Sequence, residues 1–238
     1  MRGSDIATSL LGLILALLLL PISAAAGPLS LRLEQWPSWQ LPAPLPRPSP
    51  GDDLIYPAWF EGDWQLSSSD GISAEVHFAR RADGAVVGTR AANAMAIGQA
   101  VLGDELLEVQ DDPGNPNRQL ARLSDDRVLD TRISGRRSET PNPKEFLADE
   151  LSLQLLRQGG APPRISRIET LSSYELLSPD QISGEQWQAS YGSPEDGLAG
   201  AARSSQKLSL MLERLQPTGM ASAGAEASEP SGLRPKVR

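Results

Sequence analysis

Apolar and polar residues alternate with a period of two along much of the chain, and this restricts the fold more than any other feature. Ile72, Ala74, Val76 and Phe78 share one side of a run whose other side carries Ser73, Glu75 and His77. Trp187, Ala189 and Tyr191 stand opposite Gln186, Gln188 and Ser190, and Leu208, Leu210 and Leu212 make a third row. That period is the signature of a half-buried β-strand. Strands are further expected from Gly62 onward and over residues 86–89, 106–110, 118–123, 127–135 and 164–177. Turn-forming clusters separate them: Ala82-Asp83-Gly84-Ala85, Asp111-Asp112-Pro113-Gly114-Asn115-Pro116 and Ser124-Asp125-Asp126. Several short strands with turns between them specify a sandwich or barrel.

Two segments carry a helical signal. Residues 93–102 hold Met95, Ile97 and Val101 among alanines, a pattern that fits a short helix or a strand, with the helix preferred. The stronger signal begins at Asn142. Asn142 caps, Pro143 suits the first helical position and Glu145 has capping-box spacing. Leu147, Leu151 and Leu155 form a stripe that ends at Gly159-Gly160. One substantial helix is expected there.

The ends of the chain read differently from its middle. Residues 1–26 have a basic start, a leucine-rich core of residues 10–20 and the small-residue site Ser23-Ala24-Ala25-Ala26. This is the pattern of a cleaved export signal, and the apolar core falls short of the ~20 residues of a membrane span. Residues 27–52 read as a proline-rich linker, extended and stiff where Pro37, Pro42, Pro44, Pro46, Pro48 and Pro50 follow one another. Trp36 and Trp39 are placed to pin it down. Residues 53–216 form the folded domain. Residues 217–238, rich in alanine, serine, glycine and proline, read as a disordered tail.

Composition narrows the chemistry. The chain has no cysteine, which removes disulfides, thiolate catalysis and cysteine-ligated metals. Its net charge of −8 suits neither nucleic acid nor an anionic membrane surface. The single histidine, His77, lies on the polar side of its strand with no ligand pattern around it, and reads as an ordinary polar residue rather than a catalytic base. The adjacent acids Asp111-Asp112 and Asp125-Asp126 read as solvated turn residues. No catalytic set, metal site or cofactor motif is expected. Arg118, Arg122, Arg132, Arg136 and Arg137 make a basic cluster in this acidic chain. It is suited to salt bridges or, through arginine's planar fork, to an anionic head group.

The stretch Tyr56-Pro57-Ala58-Trp59-Phe60-Glu61-Gly62-Asp63-Trp64, with Asn115-Pro116-Asn117-Arg118-Gln119 and Glu139-Thr140-Pro141-Asn142-Pro143, resembles a family of cyanobacterial and chloroplast proteins. Its members carry an export or lumenal-transit signal and one domain of unknown function. The resemblance implies the thylakoid lumen or periplasm as the address and supplies no catalytic residue. Separately, Gly62-Asp63-Trp64 is similar to the Gly-x-Trp that opens the first strand of lipocalin-like barrels, where the tryptophan closes the barrel base. The fold expected is therefore mainly β: a lipocalin-like (calycin-type) antiparallel barrel, or an incomplete one, with one substantial helix. The function expected is non-enzymatic binding of a small apolar ligand (lipid, quinone or pigment), with Trp59, Trp64, Arg118 and Arg132 as candidate ligand residues. The alternative is an assembly factor docking on a photosynthetic membrane complex through the loops around residues 115–118 and 139–142.

Overall fold

The computed structural model describes residues 27–216. The expected export signal and the expected disordered tail lie outside the described residues. The elements in order are α1 (Pro28–Glu34), β1 (Gln40–Leu41), β2 (Gly62–Ser68), β3 (Ser73–Arg80), β4 (Val86–Gly88), α2 (Arg90–Leu102), β5 (Leu106–Asp112), β6 (Asn115–Leu123), β7 (Arg127–Asn142), β8 (Glu145–Arg157), β9 (Arg164–Ser178), β10 (Gln181–Tyr191), β11 (Gly200–Ala201) and β12 (Ser204–Arg214). Among the described residues, ten strands build one antiparallel sheet in the order β4-β3-β2-β12-β10-β9-β8-β7-β6-β5, and β1 pairs with β11. The sheet curls into a half-barrel. The mainly-β expectation holds in its incomplete-barrel form, and one substantial helix is present.

That helix is not where the leucine stripe puts it. Residues 145–157 are strand β8, paired along its length with β7 and β9. The reason is arithmetic: residues four and eight apart share a face in both a helix and a strand. In the strand, Leu147, Asp149, Leu151, Leu153 and Leu155 point one way and Phe146, Ala148 and Glu150 the other. The apparent cap is a hairpin turn, in which the Asn142 side chain accepts from the Lys144 amide at 2.9 Å and Asn142 pairs with Glu145. An Asx turn and a helix N-cap use the same side-chain chemistry. The helix that exists is α2, in the alanine-rich segment where alanine's propensity favours it. It ends at Gly103, whose φ of 58° and ψ of −136° make a backbone conformation that glycine adopts readily and L side chains do not.

Because side chains alternate, the sheet has two buried faces. On the concave face Phe60, Trp64, Val76, Phe78, Phe146, Ile182 and Leu212 form one core. On the outer face Leu29, Trp39, Leu41, Leu147, Leu171, Trp187, Ala189 and Tyr191 form another. The outer core exists because the segment before β2 lies across the strands. Leu29 and Trp39 are almost fully enclosed. The Pro46 carbonyl accepts from the Arg136 amide at 2.9 Å, and the Ser49 carbonyl accepts from Asn117 Nδ2 at 2.9 Å. Gly135 makes room for this strap, since a Cβ there would come within 2.9 Å of Leu45 Cβ.

Helix α2 packs on β3 and on β5, strands that belong to opposite margins of the sheet. It therefore covers the seam that the half-barrel leaves open. Asn93 ties it to β3, accepting from the His77 amide at 2.8 Å and donating to its carbonyl at 2.9 Å. Arg90 and the Ala91 amide tie it to Asp111 on β5, at 3.4 and 3.2 Å.

Candidate functional site

A cavity of about 710 Å³ lies in the concave face. The strand register sets its polarity, rung by rung. The lowest rung across β8, β9, β10 and β12 is Phe146, Tyr174, Gly184 and Leu210; the next is Ala148, Ser172, Gln186 and Leu208. The third, extended to β7, is Arg136, Glu150, Thr170, Gln188 and Gln206. The wall thus passes from apolar to polar within four residues of strand. Leu66, Val76 and Leu212 continue the apolar floor, and Ile97 and Val101 of α2 form part of the opposite wall. Burial pushes the Tyr56 and Tyr174 phenols up, so both stay neutral.

The polar rung is internally bonded. Gln206 Nε2 donates to Gln188 Oε1 at 2.9 Å, and Arg136 Nε donates to Glu150 Oε1 at 2.5 Å. Arg136 also donates to the Asp52 carbonyl at 3.1 Å. At the rim, Arg90 pairs with Asp53 at 3.6 Å and with Asp111 at 3.4 Å.

The four residues singled out from the sequence fall into two pairs. Trp64 is fully enclosed below the apolar floor; its Nε1 donates to the Phe60 carbonyl at 2.7 Å. The Arg214 guanidinium lies 4.1 Å from its ring centroid. Trp59 stacks on Phe60 at 4.4 Å. Neither tryptophan lines the cavity itself. Arg118 and Arg132 meet at Asp130, whose side chain is fully buried. Arg118 donates to its two oxygens at 3.2 and 3.0 Å, and Arg132 at 3.2 and 2.9 Å. These forks, that of Arg132 first, hold the Asp130 carboxyl down at about 2 despite its burial. Arg118 touches the border of the cavity and Arg132 does not. His77 pairs with Asp63 at 2.5 Å on a partly exposed surface.

The sequence reading passed over a second polar cluster, under the strap on the outer face. Arg32 of α1 donates from Nε and Nη2 to the two oxygens of Glu169, both at 2.8 Å. The Tyr191 hydroxyl donates to Glu169 Oε2 at 2.5 Å. Asp149 lies beside them, and neither of its buried oxygens has a donor. Burial above all, then the Glu169 charge, pushes its carboxyl up to about 8. Asp149 is thus protonated at neutral pH, leaving the cluster with one positive and one negative charge, those of Arg32 and Glu169. The cluster joins residue 32 to residues 149, 169 and 191, a separation that no local motif reports. The only signal is acids at apolar-face positions of otherwise alternating strands.

The family model for a domain of unknown function, DUF6816, matches residues 67–207. The chain belongs to that family. The match runs from the end of β2 into β12 and so takes in α2 and most of the concave wall. The aromatic stretch of residues 56–64 precedes it. No match was found among curated proteins or among solved structures.

Proposed function

We propose that this DUF6816 protein is an exported, non-enzymatic carrier that holds one small apolar ligand, of the lipid, quinone or pigment class, in the concave-face cavity. The periplasm or thylakoid lumen is its proposed address, on the strength of the signal-like residues 1–26 and the resemblance to cyanobacterial and chloroplast proteins. The observation that carries the reading is the cavity. A volume of about 710 Å³ lies within the range of small-molecule sites, which are concave and largely apolar with few polar groups. Of the lining charges, Arg136 pairs with Glu150 and Arg90 with Asp53.

Titration with N-phenyl-1-naphthylamine, an uncharged apolar fluorophore, tests this. One saturable site is expected, and Leu208→Trp, which puts a bulky ring into the cavity beside its apolar floor and obstructs the ligand, abolishes it while circular dichroism stays unchanged. Absence of saturable binding, or binding indifferent to Leu208→Trp, overturns the proposal.

One observation favours a second reading. Val101, Leu102 and Leu107 are exposed together where α2 passes into β5, a site for docking on a photosynthetic membrane complex. The loops first considered for this role are internally engaged: Asn117 and Arg118 as described, and Glu139 by accepting from the Leu29 amide at 3.1 Å. Salt-sensitive co-sedimentation with thylakoid membranes, lost in Leu102→Glu/Leu107→Glu, is the expected result for docking. Indifference to these changes excludes this surface.

A further inference from the structure

The lining also restricts the ligand's head group. We infer, resting on the carrier reading above, that the cavity takes an uncharged amphiphile whose head carries hydroxyl groups. The first observation is the set of charges on the wall. Arg136 is bonded to Glu150, Arg90 to Asp53 and Asp111, and Arg118 to Asp130 and Asp112. Asp70, in the β2–β3 turn, accepts from the Ser68 hydroxyl. Among the described residues, a carboxylate or phosphate head therefore meets no free cation, and the one lining carboxylate without a cationic partner, Asp70, lies in an exposed turn where an ammonium would stay hydrated rather than buried. Burying an ion without a counter-charge is far more costly than burying a neutral polar group.

The second observation is a set of amides, one on the rung next to the apolar floor and two on the rung of the Arg136–Glu150 pair. Gln186, Gln188 and Gln206 line the cavity on adjacent strands, Gln206 at an exposed position. Gln206 and Gln188 use one bond on each other, which leaves the Gln206 carbonyl and second amide proton for a ligand. Gln186 lies one rung closer to the floor, beside Leu208. A primary amide both donates and accepts, and so does a hydroxyl; a carboxylate only accepts and an ammonium only donates. A row of amides above an apolar floor matches an alkyl or isoprenoid body that ends in a diol, polyol or sugar.

Calorimetric titration of the mature protein with three probes of one chain length tests the inference: 1-monolauroylglycerol, laurate and dodecylamine. The glycerol ester is expected to bind about tenfold or more tightly than either ion, the equivalent of one or two hydrogen bonds. In Gln186→Leu/Gln188→Leu this preference is expected to disappear, while affinity for N-phenyl-1-naphthylamine persists and reports an intact cavity. Laurate or dodecylamine binding as tightly as the ester overturns the head-group inference and leaves the carrier reading standing. An unchanged preference in the double variant also overturns it. Failure of all three probes and of the fluorophore overturns the carrier reading itself.

Discussion

The two faces of the sheet are made by the same strands and end in opposite states. On the outer face, Trp187, Ala189 and Tyr191 of β10 lie under a strap that enters the core and brings a buried arginine with it. On the concave face, Gln186 and Gln188 of the same strand line open volume. Its cover, α2, contributes no fully buried residue. The more apolar side of β10 is thus spent on the strap, and the more polar side faces the cavity. One face is closed with side chains; the other is left unfilled, and a protein interior ordinarily contains few such voids.

Changes that break the outer face are expected to cost most. Arg32→Ala strands the Glu169 carboxylate in the core, and a loss of about 3–5 kcal/mol is expected in denaturant titration. Arg32→Met/Glu169→Leu removes both charges and is expected to recover most of that loss. On the other face, Trp64→Ala empties the packing below the cavity floor, with a comparable loss of about 3–5 kcal/mol. Equal, small losses for both single changes would erase the distinction between a sealed face and a supported floor.

The pH response belongs to the outer face. Asp149 keeps its proton in the fold to about pH 8, against an ordinary value of 3.8. Between those values the folded state binds more protons than the unfolded chain, so this group makes stability fall as pH rises. The slope approaches about 1.4 kcal/mol per pH unit within the window and vanishes above it. Asp130 acts in the opposite sense. Its carboxyl, held at about 2, contributes stability that is present above its ordinary value and lost as pH falls toward 2. Urea midpoints from pH 5 to 8 are expected to decline for the wild type and to flatten in Asp149→Asn.

A smaller effect separates filled from unfilled space. Ala189→Leu overpacks the outer face at an expected cost of about 1–3 kcal/mol. Leu208→Phe adds volume on the cavity wall and is expected to cost under about 1 kcal/mol. Thermal melts of the two variants decide; a larger loss for Leu208→Phe would mean that the concave face is the tighter one.

Strand positions and their sides were legible wherever alternation is local, as in Ser73–Arg80 and Gln181–Tyr191. The misassigned β8 shows the limit. Leu147, Leu151 and Leu155 satisfy both periods, and Asn142 caps a turn as readily as a helix. What decides between them is pairing with β7 and β9, which one strand's sequence does not contain. The candidate site was less legible. Trp59, Trp64, Arg118 and Arg132 stood out as candidate ligand residues, whereas Trp64 is packed in the core and the two arginines meet at Asp130. The cavity depends on rungs assembled from five strands, and the Arg32–Glu169 pair spans 137 residues. Both follow from topology rather than from any short stretch.

The most direct test of a face left open for a ligand is native mass spectrometry of the mature protein, purified gently from its own host and then extracted with organic solvent. The account predicts one stoichiometric apolar adduct, released by the solvent and absent from Leu208→Trp. A clean apo mass for the wild type, with Leu208→Trp indistinguishable from it in stability and probe binding, would contradict the account.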